Sequence, residues 1–130
     1  MKPSTIWGPR ILSVLRIVVG LVLLQYGLAK LFGWPAVKMF EDLPWFSLFG
    51  IAGMFELVGG TLLILGLFTR PVAFILSGEM AAAYFMAHAG KGFYPILNGG
   101  ELAALYCFVF LYFAFAGGGP WSADALIKRR

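Results

Sequence analysis

Three carboxylates, Glu56, Glu79 and Glu101, stand inside stretches that are otherwise apolar, and so do Arg16, Lys30, Gln25 and His88. Such side chains take up or release protons, donate hydrogen bonds or pair as ions. At the centre of a membrane helix a charge costs on the order of 2.5–3.5 kcal/mol on insertion scales, so charged groups there turn inward and pair. Glu56, Glu101 and His88 are the candidates for catalytic proton transfer. Lys30, Gln25, Tyr26 and Asn98 are the candidates for hydrogen bonds to a bound substrate. Arg16 and Glu79 are expected to form a structural ion pair that sets helix register. No metal site is expected, because one His and one Cys make no ligand set, and Cys107 in its apolar run reads as packing. Neither a Rossmann glycine fingerprint nor an Fe–S spacing is present, so the chain is not a complete redox enzyme alone.

The elements that must position these residues follow from composition. Of 130 residues, 61% are hydrophobic and 12% charged, with a mean hydropathy of +0.87. That excludes a disordered chain, a coiled coil, a disulfide scaffold and most soluble enzymes. The net charge of +4 comes from scattered cations without a basic stripe, which excludes nucleic acid as a partner. About 20 apolar residues cross a bilayer, and four stretches qualify, at about 11–32, 48–68, 72–89 and 97–116. Gly8-Pro9, Gly33-Trp34-Pro35, Pro44-Trp45, Thr69-Arg70-Pro71, Gly90-Lys91-Gly92 with Pro95, and Gly117-Gly118-Gly119-Pro120 punctuate them. All four tryptophans fall just outside these limits, at headgroup level. The reading is an all-α, integral membrane four-helix bundle, one transmembrane domain over residues 1–130. The first segment is read as a retained helix, since Gln25, Lys30 and the lack of an A-x-A-like site argue against a cleaved signal.

Lys2, Arg10, Arg16, Arg70, Lys128, Arg129 and Arg130 fall on one side and Lys30, Lys38 and Lys91 on the other, which places both termini in the cytoplasm. Helical spacing puts Arg16, Gly20, Leu23, Gly27 and Lys30 on one face of the first segment. Gly53, Glu56 and Gly60 share a face of the second, and Glu101, Leu105, Phe108 and Tyr112 a face of the fourth; each is expected to point inward. By depth, Lys30, Glu56, His88 and Glu101 should form a polar cluster in the outer half. Blander uses are a snorkelling Lys30, a structurally hydrogen-bonded His88, and packing for the aromatic run from Tyr106 to Phe115.

Phe55-Glu56-Leu57-Val58-Gly59-Gly60, running on to Leu65-Gly66-Leu67-Phe68-Thr69-Arg70, resembles the second helix of the DoxX family of small four-helix membrane proteins. Gly27-Leu28-Ala29-Lys30-Leu31-Phe32-Gly33, His88, Asn98-Gly99-Gly100-Glu101 and Gly119-Pro120-Trp121-Ser122 extend the resemblance, in the family's order, over about Arg16 to Asp124. Many members have a histidine where this chain has Tyr26, so a metal- or haem-binding role for that histidine does not carry over, although Tyr26 can still donate a hydrogen bond. The resemblance implies a bacterial inner-membrane protein whose relatives include the small subunit of thiosulfate:quinone oxidoreductase and other membrane complexes of sulfur and oxidative-stress chemistry. It leads to the expectation of a membrane subunit that works with the quinone pool, with no covalently bound cofactor and with a protein partner or a second copy in the bilayer. Glu56 or Glu101 would then take up the quinol proton, and His88 or Lys30 would hydrogen-bond a quinone carbonyl. The alternatives are a non-catalytic anchor or assembly factor and, third, a small transporter, for which four helices are few.

Overall fold

A computed structural model describes residues 3–128, with side chains from residue 5 onward. Lys2, Arg129 and Arg130, counted above among the cytoplasmic cations, lie outside the described residues. All regular structure among the described residues is helical. The chain forms α1 (Pro3–Phe32), α2 (Leu48–Leu65), α3 (Thr69–Ala83), the short turn α4 (Pro95–Asn98), α5 (Glu101–Ala116) and the terminal α6 (Ala123–Lys128). A π-helix, Tyr84–His88, and a 3-10 turn, Ala89–Lys91, continue α3. Three helical stretches are long and apolar enough to cross a membrane, Thr5–Phe32, Leu48–Leu65 and Thr69–Lys91.

Three helices start elsewhere than expected, and the second ends at Leu65 rather than 68. The first helix begins before the apolar run, so Trp7 and Pro9 lie within it rather than ahead of it. Pro9 deprives the Thr5 carbonyl of its helical donor, but Gly8 and Pro9 are exposed, so solvent or headgroups can replace it. The third helix begins at Thr69 rather than 72 because Asp124, from far along the chain, accepts the Phe68 and Thr69 N–H groups at 2.8 and 2.9 Å. The fourth begins at Glu101 rather than 97, because Gly99 takes a left-handed φ of 75°. The 16 residues of α5 span about 24 Å.

Sequence-local caps fix the second helix. Ser47 accepts from the Gly50 N–H at 3.1 Å, and Gly66, at φ 69°, ends the helix with its N–H directed back to the Leu62 and Leu63 carbonyls. Leu67 N–H also returns to Leu62 O, at 3.0 Å, completing a Schellman-type end that needs the left-handed glycine.

The described residues form two compact units, one made of those up to Thr69 together with those from Gly118 on, the other of Arg70–Gly117. In the first unit α1 and α2 run antiparallel in close contact. A Cβ on Gly20 would stand 3.0 Å from Gly60 O, one on Gly27 2.6 Å from Leu57 N, and one on Gly53 2.9 Å from Lys30 Cβ. The small residues expected on the inner faces of these helices therefore meet, with Leu23 and Leu63 buried between them. Gly27→Ala is expected to lower stability by about 1–3 kcal/mol through overpacking, measured by thermal unfolding in detergent. Gly78→Ala on α3, where a Cβ meets nothing within 4 Å, is expected to cost nothing.

In the second unit, Ala73, Leu76 and Met80 of α3 and Tyr106, Phe110 and Phe113 of α5 are buried. Tyr106 stacks on Phe110 with centroids 5.3 Å apart, and Ser77 Oγ donates to the Cys107 carbonyl at 2.7 Å. This corrects the face expected of the fourth segment: Glu101, Leu105, Phe108 and Tyr112 are exposed. The helix is apolar nearly all round, so no periodicity selects a face, and the position of Glu101 was a false guide.

Candidate functional site

The first unit joins Lys30, in the last turn of α1, to Glu56 in the middle of α2. Gly53, one turn before Glu56, lets α2 lie against the base of the lysine side chain. Lys30 Nζ donates to Glu56 Oε1 at 2.8 Å and to Oε2 at 3.0 Å. The two side chains are only 10% and 3% exposed, so Lys30 pairs internally rather than snorkelling. The rings of Tyr26, Phe40 and Phe49 surround the ammonium, with centroids 6.0, 5.4 and 5.9 Å from Nζ. An ammonium has three N–H bonds, so one remains beyond the two held by the carboxylate. Lys30 also lines a cleft of about 390 Å³ together with Phe32, Phe40, Glu41 and Asp42. Trp45 bounds this end of α1, its indole N–H donating to the Leu31 carbonyl at 3.0 Å while Phe32 meets its ring edge-on at 5.8 Å.

At the other end of the same unit Arg16 is fully buried. Its Nε donates to Leu63 O at 2.7 Å, Nη1 to Gly118 O, and Nη2 to Trp121 O at 2.8 Å and Ile64 O at 3.5 Å. Ser13, one turn earlier, donates to Gly118 O and accepts from Trp121 N–H, each at 3.1 Å. The guanidinium thus adds a charged donor to carbonyls at the C-terminal end of α2, where helix polarity favours a cation, and ties down the segment after α5. Acceptors of this kind are invisible in a sequence, where only a carboxylate marks itself as a partner for an arginine. Arg16 and Glu79 belong to different units, and Glu79 is half-buried on α3.

The second unit carries a third polar node. Asn98 is buried; its Nδ2 donates to the Tyr84 hydroxyl at 3.1 Å and to Gly92 O at 3.0 Å, and its Oδ1 accepts from Gly100 N–H at 2.8 Å. Its carbonyl oxygen lies 3.1 Å from His88 Nδ1. A carbonyl only accepts, so Nδ1 is the donor, and in the neutral ring Nε2 is then the acceptor. His88 and Tyr84 both lie on the π-helical turn, a distortion frequent at functional sites. Of the four residues expected to cluster, the structure brings Lys30 and Glu56 together in one unit and places His88 and Glu101 in the other. Glu101 is exposed in the first turn of α5, where the helix dipole favours a carboxylate. Gln25 is exposed on α1 and Tyr26 half-buried beside Lys30. No three of His, Cys, Asp and Glu among the described residues come together as a metal-binding set.

Regular structure that is all helical among the described residues, three membrane-capable spans and an ion pair buried between two of them define a polytopic membrane protein. Residues 11–89 match the sequence profile of DoxX, and the chain belongs to the DoxX family. It is 50% identical to an uncharacterized protein of Haemophilus influenzae over 91% of each chain. It is 29% identical to an uncharacterized membrane protein of Mycobacterium tuberculosis over 95% of this chain and 85% of that one. A second uncharacterized protein of Haemophilus influenzae is 32% identical over 75% of this chain and 62% of its own. No solved structure matches.

Proposed function

We propose that this chain is the four-span membrane subunit of a quinone-linked oxidoreductase complex in the bacterial inner membrane, with both termini cytoplasmic. The observation that carries the reading is the Lys30–Glu56 pair beside a cleft of about 390 Å³ that Phe32 and Phe40 line together with Glu41 and Asp42. Its remaining ammonium N–H suits a carbonyl oxygen, and the rings of Phe32 and Phe40 suit a flat head group. A bound quinone would supply a two-electron, two-proton carrier dissolved in the bilayer. The protein's part is to orient the carbonyl with Lys30, hold the lysine with Glu56 and exchange a proton there. Glu41 and Asp42, beside Lys30 in the cleft, offer carboxylates for passing that proton to water. His88, with Nε2 open, is a second acceptor for a donor arriving at the other unit.

An even number of spans is supported by the path of the chain. It leaves the first unit at Thr69 and re-enters at Gly118, whose added Cβ would stand 2.8 Å from Thr69 Oγ1. In this reading the intervening chain returns to the side it left, with α3 crossing one way and α5 the other. A short α5 is accommodated by local thinning of the bilayer.

The test is photolabelling of the membrane-embedded protein with an azido-quinone, followed by peptide mapping. Label is expected on the peptide spanning residues 30–43, and Glu56→Gln is expected to lower it about tenfold, the effect of one lost hydrogen bond to a charged group. Unchanged labelling and unchanged quinone-linked activity at normal protein levels would favour the anchor reading. One observation already points that way for part of the molecule: the donors of Arg16 are directed to carbonyls and serve structure alone.

A further inference from the structure

Arg10 differs from Arg16 and Lys30, the other cations on α1. Lys30 is held by Glu56 and Arg16 by backbone carbonyls, whereas no hydrogen-bond acceptor meets the Arg10 guanidinium among the described residues. Two indoles hold it instead: its Cζ lies 4.9 Å from the Trp7 ring centroid and 5.9 Å from that of Trp121. Stacking fixes a guanidinium in place without using its N–H donors, which keep the planar fork that matches a phosphate. The four acidic residues of this unit do not compete for it. Glu41 and Asp42 line the cleft at the far end of α1, Glu56 pairs with Lys30, and Asp124 accepts two backbone N–H groups.

The surroundings give the ligand its shape. Trp7 and Trp121 are half-exposed, at 52% and 51%, as indoles at the headgroup level are. Helical spacing continues the face of Trp7 and Arg10 into Val14 and Val18, exposed by 41% and 50%. Val18 lies eight residues from Arg10, about 12 Å along the axis. A cationic fork at the interface, opening onto an apolar track that runs into the bilayer, is complementary to a charged headgroup with an acyl chain.

We propose that Arg10, clamped between Trp7 and Trp121, binds the phosphate of an anionic phospholipid whose acyl chain lies along Val14 and Val18. The site is distinct from the Lys30 cleft and does not depend on the quinone reading. The shared chemistry with a free phosphate is the oxyanion; the apolar track favours the lipid.

The experiment places the full chain in nanodiscs of phosphatidylcholine doped with spin-labelled phosphatidylglycerol or spin-labelled phosphatidylcholine, and compares the immobilised fractions. The wild-type chain is expected to prefer the anionic lipid about tenfold, the scale of one charge-assisted hydrogen bond. Arg10→Gln should remove the preference, and the charge-neutral pair Trp7→Leu with Trp121→Leu should lower it several-fold. Arg10→Lys, which keeps charge but loses the stacked fork, should fall between. Lys128→Gln should leave the preference intact, and excess inorganic phosphate should not displace the label. Unchanged preference in Arg10→Gln or in the double tryptophan variant would overturn the clamp. Displacement by inorganic phosphate would overturn the lipid assignment in favour of a soluble anion.

Discussion

Lys30→Met is expected to destabilise the protein by about 3–5 kcal/mol, because it leaves the Glu56 carboxylate buried between two helices without its counter-ion. The side chain is 3% exposed, and the glycine contacts bring α1 close against α2 beside it. The double variant Lys30→Met with Glu56→Met should recover most of the loss, since replacing both members of a buried pair by apolar groups is often neutral or better. Thermal unfolding of the four proteins of this cycle in one detergent measures the coupling directly. If Lys30→Met unfolds with the wild type, the pair contributes no stability and the packing around Gly27 and Gly53 holds the helices unaided. If the double variant is stable yet no longer takes up the quinone label, the ion pair exists for the ligand. A buried pair contributes weakly to net stability, so its retention calls for a use.

The parts of this fold that were legible in the sequence depend on near neighbours in the chain. The shared face of Gly20, Leu23, Gly27 and Lys30 follows from the helical repeat, and so does its match in Gly53, Glu56 and Gly60; the close approach of α1 and α2 realises both. The end of α2 is a different case: the apolar run continues to residue 68, but the left-handed Gly66 ends the helix at Leu65. What stayed hidden depends on distant backbone. The start of α3 is set by a carboxylate 55 residues away from Thr69, and Arg16 seeks carbonyls, which every residue carries and no sequence pattern marks. In α5 the difficulty was different: with apolar side chains on all sides, burial of Tyr106, Phe110 and Phe113 is decided by neighbours and not by periodicity. The candidate site was therefore half legible, through Lys30 and Glu56, while the Asn98 network became visible only once Gly99 had broken the helix and turned Asn98 toward Tyr84 and Gly92.

Arg16→Met is expected to be nearly as costly, by about 3–5 kcal/mol, through a different route. Removing the guanidinium takes the charged donor from the carbonyls of Leu63, Gly118 and Trp121 in a place water does not reach freely, and each hydrogen bond to a charged group contributes about 1.5–3 kcal/mol. The loss is below the sum because Gly66 still closes α2 and Ser13 still holds Gly118 and Trp121. The damage should be local first: the segment from Gly117 to Asp124 loses its tether to α1, so limited proteolysis should cut there before the protein unfolds as a whole. Arg16→Lys separates geometry from charge. A lysine ammonium is a point charge and cannot span carbonyls contributed by two chain segments as a planar fork does, so it should recover only part of the stability and leave the segment open to cleavage. Arg16 lies 14 residues from Lys30, about 21 Å along α1, so a folded Arg16→Lys protein should keep quinone labelling at the Lys30 cleft unchanged. Loss of labelling in that variant would mean that the two ends of the unit are coupled and that Arg16 acts as a positioning residue for the cleft. Retained labelling with an opened C-terminal segment would assign Arg16 to the fold alone.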